Sequence, residues 1–232
     1  MWHQTWAIQT GEFTSMTDNA TRRRMMVDTQ VRPSDVTKYP IIDAMLEVPR
    51  ERFVPDDARP TAYVDDNIDL GPGRTVLAPR TLAKLLDALD IGTGDLVLDL
   101  GAGLGYATAV VSRLAEAVVA VEEDETRAAE AETLLSEISA DNAAVVAGSL
   151  AEGAPKHGPY DVILVEGAIE TLPAALADQL KDGGRIGTLF ADGALCQARI
   201  GVKADGVLSW RWVFDASAPV LPGFARAPEF VL

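Results

Sequence analysis

The apolar run Leu96-Val97-Leu98-Asp99-Leu100 passes directly into Gly101-Ala102-Gly103-Leu104-Gly105-Tyr106, and the apolar pattern of residues 106–114 is that of a helix. A buried strand that turns through three glycines into a helix is compatible with few folds. Glycine adopts positive φ without strain and, lacking a Cβ, lets a ligand lie against the backbone. Such a turn is the nucleotide-binding corner of an α/β sheet.

The rest of the chain supplies the sheet. Before the turn, Leu82, Leu85, Leu86 and Leu89 recur at helical spacing after Pro79, and Gly92 and Gly94 end that helix. After it come a strand over 118–121, an alanine-rich helix over 124–138, strands over 143–147 and 161–165, and a helix over 172–180. Strands that alternate with helices at this spacing imply a parallel sheet covered on both faces. The C-terminal part changes character. Residues 185–190, 196–202 and 208–214 read as strands joined at Asp192-Gly193 and Asp205-Gly206, so an antiparallel hairpin finishes the sheet. The expected fold is a Rossmann-like α/β domain with seven mostly parallel strands, a terminal antiparallel hairpin and an N-terminal helical extension.

Three parts follow. Residues 1–16 are expected to be a disordered segment or an extension. Residues 17–78 carry two helices, one over 17–30 stopped by Arg32-Pro33 and one after Pro40, and then a long Pro-, Asp- and Gly-rich loop with a short strand near Ile68. Loops of that length usually carry function. Residues 79–232 form the cofactor-binding domain.

The turn itself narrows the ligand. A dinucleotide fingerprint wants a third glycine where Tyr106 stands, and Asp99 would set a carboxylate beside a pyrophosphate. S-adenosylmethionine has no phosphate, and its ammonium and sulfonium are cations that an acid beside the turn attracts. Glu122, twenty-one residues after Gly101 at the end of the next strand, is placed to accept from ribose hydroxyls. The expected cofactor-binding residues are therefore Asp99, Gly101, Ala102, Gly103, Gly105 and Tyr106 in the turn, with Glu122 and Glu123 beyond it.

Charge and composition exclude other classes. A formal charge of −15 in 232 residues repels nucleic-acid phosphates and anionic membranes, and no run of eighteen apolar residues is present. Two histidines, at 3 and 157, are too few for a metal or triad site, so no metal is expected. The single cysteine, Cys196, suits a small core residue in a reducing, cytoplasmic setting. Trp210 and Trp212 share one face of their strand and are expected to pack on the sheet or at a dimer contact. Residues 219–224 are apolar enough to seat against the body or a neighbouring subunit, leaving monomer and homodimer open.

Outside the generic fold, Pro49-Arg50-Glu51-Arg52-Phe53-Val54-Pro55, Ala62-Tyr63 and Gly71-Pro72-Gly73-Arg74-Thr75 stand in order before the first long strand, and Pro159-Tyr160-Asp161 and Leu180-Lys181-Asp182-Gly183-Gly184-Arg185 stand after it. With the glycine turn, these segments make the chain resemble the protein-L-isoaspartate O-methyltransferases from about Met25 onward. The resemblance implies S-adenosylmethionine as methyl donor and a damaged protein or peptide as substrate. Its isoaspartyl carboxylate attacks the sulfonium methyl to give an ester that later collapses to a succinimide. A carboxylate is already nucleophilic at neutral pH, so catalysis of this kind rests on alignment and desolvation.

Three positions depart from the family pattern. The family's loop reads Thr, aliphatic, Ser, any residue, Pro, with the serine hydroxyl near the reacting carboxylate; here Thr75-Val76-Leu77-Ala78-Pro79 puts leucine at the serine position. The family's adenine-binding Asp-Gly after the third strand is replaced by Gly148-Ser149-Leu150, so Ser149 and Leu150 take over that contact. After the fourth strand, where the family has a small or neutral residue, stands Glu166, which would repel a carboxylate substrate or serve as a base toward a hydroxyl or amine. Thr75, Leu77 and Glu166 are the catalytic candidates. Isoaspartyl methylation is the first expectation; a same-fold methyltransferase with another acceptor, or a non-catalytic cofactor-binding protein, is the alternative.

Overall fold

In the computed structural model, residues 11–193 and 195–226 are described. A seven-stranded sheet runs in the order β5-β4-β3-β6-β7-β8-β9, where β3 is Leu96–Leu100, β4 Ala117–Glu122, β5 Ala143–Ala147, β6 Tyr160–Ile169, β7 Leu180–Asp192, β8 Leu195–Ala204 and β9 Val207–Ala216. The pairs from β5 to β7 are parallel, and β8 is antiparallel to both neighbours. The expected architecture is the one observed. A separate two-residue ladder, β1 (Ile68–Asp69) with β2 (Thr75–Val76), is folded from the long loop.

Period-two alternation assigns the two faces. Val97, Val118 and Val162 face one buried cluster with Leu82, Leu85, Leu86 and Leu89 of α3 (Pro79–Leu89), whereas Leu98, Val119 and Ile163 face a second cluster with Tyr160, Leu176, Leu221 and Phe224. Helix α4 (Tyr106–Ser112) follows β3, and α5 (Glu125–Glu137) follows β4 with Asp124 as N-cap, whose carboxylate accepts from the backbone N–H groups of Thr126 and Arg127. After β5 the chain crosses back to lay β6 on the other side of β3. Ligands of open α/β sheets bind at such a switch point, beyond the carboxyl ends of the strands.

The N-terminal segment differs from expectation. Helix α1 spans Gly11–Met26, so residues 11–16 extend the helix expected from residue 17; residues 1–10 lie outside the described residues. The helix then widens into a π-helical turn, Val27–Val31, that buries both valines, and Pro33, which has no N–H, lies in a single 3-10 turn. Helix α2 (Tyr39–Glu47) carries Pro40 in its first turn as anticipated. The helix expected over 172–180 shortens to α6, Ala174–Asp178, because Pro173 starts it and Leu180 already belongs to β7.

Strand β6 runs through Ile169, four residues past its expected end, because the tail pairs with it. Ala168 N–H donates to Pro219 O at 2.9 Å, and Leu221 N–H donates to Ala168 O at 2.9 Å. Leu221 and Phe224 are buried against the same body, and Cys196 lies in the core as expected. Of the tryptophans, Trp210 packs edge-on against Phe190 with centroids 4.7 Å apart, but Trp212 is exposed and donates to Asp215.

Gly167 shows why the tail seat excludes a side chain. A Cβ there would lie 2.6 Å from Leu221 Cγ and Cδ2. Gly167→Ala is expected to cost about 1–3 kcal/mol through overpacking. Adding Leu221→Ala should recover part of that loss, a coupling that a thermal-unfolding double-mutant cycle measures directly.

Candidate active site

The glycine turn lies at the switch point between β3 and β6 with residues 101–106 all buried, and Gly101, Gly103 and Gly105 each take positive φ, of 89°, 58° and 93°. Two segments close over it. From one side Leu70 presses on Gly103, where a Cβ would come within 2.6 Å of Leu70 Cδ1. From the other, Leu221 reaches to 3.7 Å from a Cβ built on Gly101. The two segments meet, since a Cβ on Gly73 would be 3.1 Å from Val220 O.

Beneath the turn sits a buried charged cluster. Glu122, fully buried, receives Arg74 Nη1 and Nη2 at 2.8 and 2.6 Å, the backbone N–H groups of Gly103 at 2.8 Å and Asp124 at 3.1 Å, and Arg127 Nε at 3.3 Å. Burial pushes its carboxyl up, but Arg74, the Asp124 N–H and Arg127 together outweigh this and hold it below the ordinary carboxylate value. With five donors on two oxygens, Glu122 has no lone pair left for a ribose in this state. Arg74 thus occupies the carboxylate from which a ribose contact was expected. Glu123, partly exposed, is 3.7 Å from Arg74 Nη1.

Asp99 and Glu166 form a second element. Asp99 pairs in register with Leu164 of β6, so Glu166, two residues on, shares its face of the sheet. Asp99 Oδ2 accepts from Thr108 Oγ1 at 2.6 Å, while Asp99 Oδ1 and Glu166 Oε1 are buried without a donor. Burial pushes Asp99 up to about 6, and burial with the neighbouring Asp99 carboxyl raises Glu166 well above the usual carboxylate range. Glu166 is thus a buried acid and not a solvated one: it lies inside β6, 2% exposed.

The third element is Arg50, which sequence reasoning quoted within a motif but gave no role. Fully buried, it donates from Nε to Ala62 O at 2.7 Å and from Nη2 to Leu77 O at 2.9 Å, with its guanidinium 4.6 Å over the Tyr106 ring. Its Nη1 and the Tyr106 hydroxyl make no well-formed hydrogen bond, although the guanidinium and the phenol lie close enough to interact with each other. Two of the catalytic candidates are structural here: Thr75 Oγ1 donates to Ile68 O at 2.9 Å, and the Leu77 side chain is packed in the core. Ser149 is exposed and Leu150 lies in the core below it, so only Ser149 presents a hydroxyl near the end of β5. The pairing of Arg74 with Glu122 spans 48 residues and carries no local sequence signal.

Of the seven buried side-chain polar atoms without partners among the described residues, five belong to groups around the turn, Arg50 Nη1, Arg74 Nε, Asp99 Oδ1, Tyr106 Oη and Glu166 Oε1; the other two are Gln30 Oε1 and Asp65 Oδ1. Acceptors and donors of both charge signs suit a zwitterionic ligand. The family model for protein-L-isoaspartate(D-aspartate) O-methyltransferase matches residues 21–189, which include all of these groups. The chain belongs to this family.

Among the relatives of this methyltransferase are the protein-L-isoaspartate O-methyltransferase of Roseiflexus castenholzii, 38% identical over 73% of this chain and 77% of its own, and that of Methanocella arvoryzae, 44% identical over 61% and 77%. A solved protein-L-isoaspartate O-methyltransferase superposes with a TM-score of 0.75 at 26% identity, over 87% of this chain and 66% of that longer one. The fold also matches a putative protein-L-isoaspartate O-methyltransferase from Plasmodium falciparum, in complex with S-adenosyl-L-homocysteine, with a TM-score of 0.72 at 18% identity over 88% and 97%. No helix among the described residues is long and apolar enough to cross a membrane.

Proposed function

We infer that this family member transfers the methyl group of S-adenosylmethionine to the isoaspartyl carboxylate of damaged proteins. The observation that carries this reading is the cluster of unpartnered buried groups at the glycine turn, within the segment that matches the family. The cofactor supplies a methyl cation equivalent when bound. What remains for the protein is to align a carboxylate with it and to exclude water.

The residues divide by charge. Asp99 and Glu166 face the cationic amino-acid end of the cofactor; Glu122 takes the ribose once Arg74 has moved; Ser149 and the backbone around Leu150 border the adenine. The carboxylate of the substrate is held by Arg50 Nη1 and the Tyr106 hydroxyl, which replace the hydroxyl that Leu77 lacks. This needs no change in Arg50, because Ala62 O and Leu77 O already fix its plane. In the complex the cofactor's ammonium balances the charge of Glu166 and so offsets the repulsion that an extra carboxylate there would exert.

Mixing the protein with S-adenosylmethionine and an isoaspartyl peptide should release S-adenosylhomocysteine in step with peptide ester, and the normal aspartyl peptide should give none. Cofactor binding without turnover on the isoaspartyl peptide would overturn the assigned acceptor.

A further inference from the structure

We propose that Glu166 is a cofactor-binding residue of this chain: with Asp99 it forms a two-carboxyl seat that holds one proton in the free protein and the cofactor's ammonium in the complex. This rests on the reading of the glycine turn as an S-adenosylmethionine site and gives that site a proton-coupled step.

The geometry comes from adjacent strands. β3 and β6 pair as Leu98↔Ile163, Asp99↔Leu164 and Leu100↔Val165, which brings residue 166 to the edge of the turn on the Asp99 face. A Cβ built on Gly101 would lie 3.7 Å from Glu166 Cβ, so Glu166 borders the backbone that a ligand of the turn must cross. Asp99 is 0% and Glu166 2% exposed. Two ionised carboxylates buried side by side are strongly disfavoured, so the pair keeps a proton on one of them. The two oxygens that lack donors, Asp99 Oδ1 and Glu166 Oε1, belong to these same two groups.

Other charges facing the pair do not remove this need. From the loop before β2 comes Arg74, whose Nη2 lies 3.5 Å from the Cβ position of Gly101, but it is committed to Glu122 of β4. Arg50, from the segment before the long loop, interacts with Glu166 only at longer range and is fixed on two carbonyls. From α4, Thr108 serves Asp99 Oδ2, and Tyr106 carries a neutral phenol. A ligand ammonium brings a full positive charge and three N–H donors into the pair. Its arrival makes the proton redundant: the carboxyl O–H bond breaks, the proton passes to solvent, and both carboxylates accept from the ammonium.

Calorimetry of the whole protein in two buffers of different ionisation enthalpy tests this with two ligands. S-adenosylhomocysteine carries the amino-acid end; methylthioadenosine has the same nucleoside and thioether but no ammonium. The homocysteine ligand should release about one proton per complex near neutral pH, with affinity rising up to about tenfold per pH unit while the pair keeps its proton, and methylthioadenosine should release none. Glu166→Gln should abolish the release and flatten the pH profile. It should also weaken the homocysteine ligand about tenfold or more, leaving methylthioadenosine unchanged. Equal release for the two ligands in the parent protein overturns the proposal without any variant, as does undiminished binding and release in Glu166→Gln. Proton-coupled binding with no methylation of an isoaspartyl peptide would leave this inference standing and remove only the assigned acceptor.

Discussion

Arg74→Gln is expected to lower the stability of the free protein and to tighten its hold on the cofactor. Arg74 and Glu122 are 1% and 0% exposed and bonded through both terminal guanidinium nitrogens, Nη1 and Nη2. Removing one partner of a buried pair costs about 3–5 kcal/mol. The low end applies here, because Glu122 keeps the backbone N–H groups of Gly103 and Asp124 and the Arg127 guanidinium. For a domain of this length about 3 kcal/mol corresponds to a fall of roughly 6–12 °C in Tm. In the parent protein a ribose must first displace Arg74 from Glu122; in the variant it need not. S-adenosylhomocysteine should therefore bind at least about tenfold more tightly and restore more of the Tm than it adds to the parent. Thermal shift with and without ligand measures both effects, and weaker binding in the variant would show that Arg74 is part of the cofactor site instead of its occupant.

Arg50→Ala should be the more destructive change. Arg50 is fully buried and holds two carbonyls from separate segments, Ala62 O and Leu77 O, while covering the Tyr106 ring. Truncation leaves both carbonyls unpaired at about 1–3 kcal/mol each and opens a cavity besides, so a loss of about 4 kcal/mol or more is expected. That is a large share of a typical domain's stability. Arg50→Lys separates structure from function, since an ammonium cannot span two carbonyls and keep a planar donor free. Its Tm should fall less than that of Arg50→Ala, and its KM for the isoaspartyl peptide should rise far more than kcat changes. An unchanged KM in a folded Arg50→Lys protein would remove Arg50 from the acceptor site.

How much of this was legible in the sequence depends on range. Period-two apolar runs and glycine stops are local, so the seven strands, the turn at Gly101–Gly105 and the terminal hairpin could be read directly. Ends set by tertiary pairing could not. β6 outruns its apolar signal because residues 219–221 hydrogen-bond to Ala168, and α6 shortens because Leu180 joins the sheet. The site shows the same division. Asp99 and Glu122 stand at strand ends, where local spacing finds them. Arg74 reaches Glu122 across 48 positions, and Arg50 reaches Leu77 across 27. Glu166 was visible as a residue, but its state was not: a carboxyl at a presumed loop reads as solvated, and only its place inside β6 beside Asp99 makes it a buried acid.

The most direct single measurement is a crystal structure with S-adenosylhomocysteine bound. The amino-acid end should lie over Gly101 with its ammonium between Asp99 and Glu166, the ribose on Glu122, and Arg74 turned away from that carboxylate. Ligand found elsewhere, or found at the turn with the Arg74–Glu122 pair intact, would contradict this arrangement.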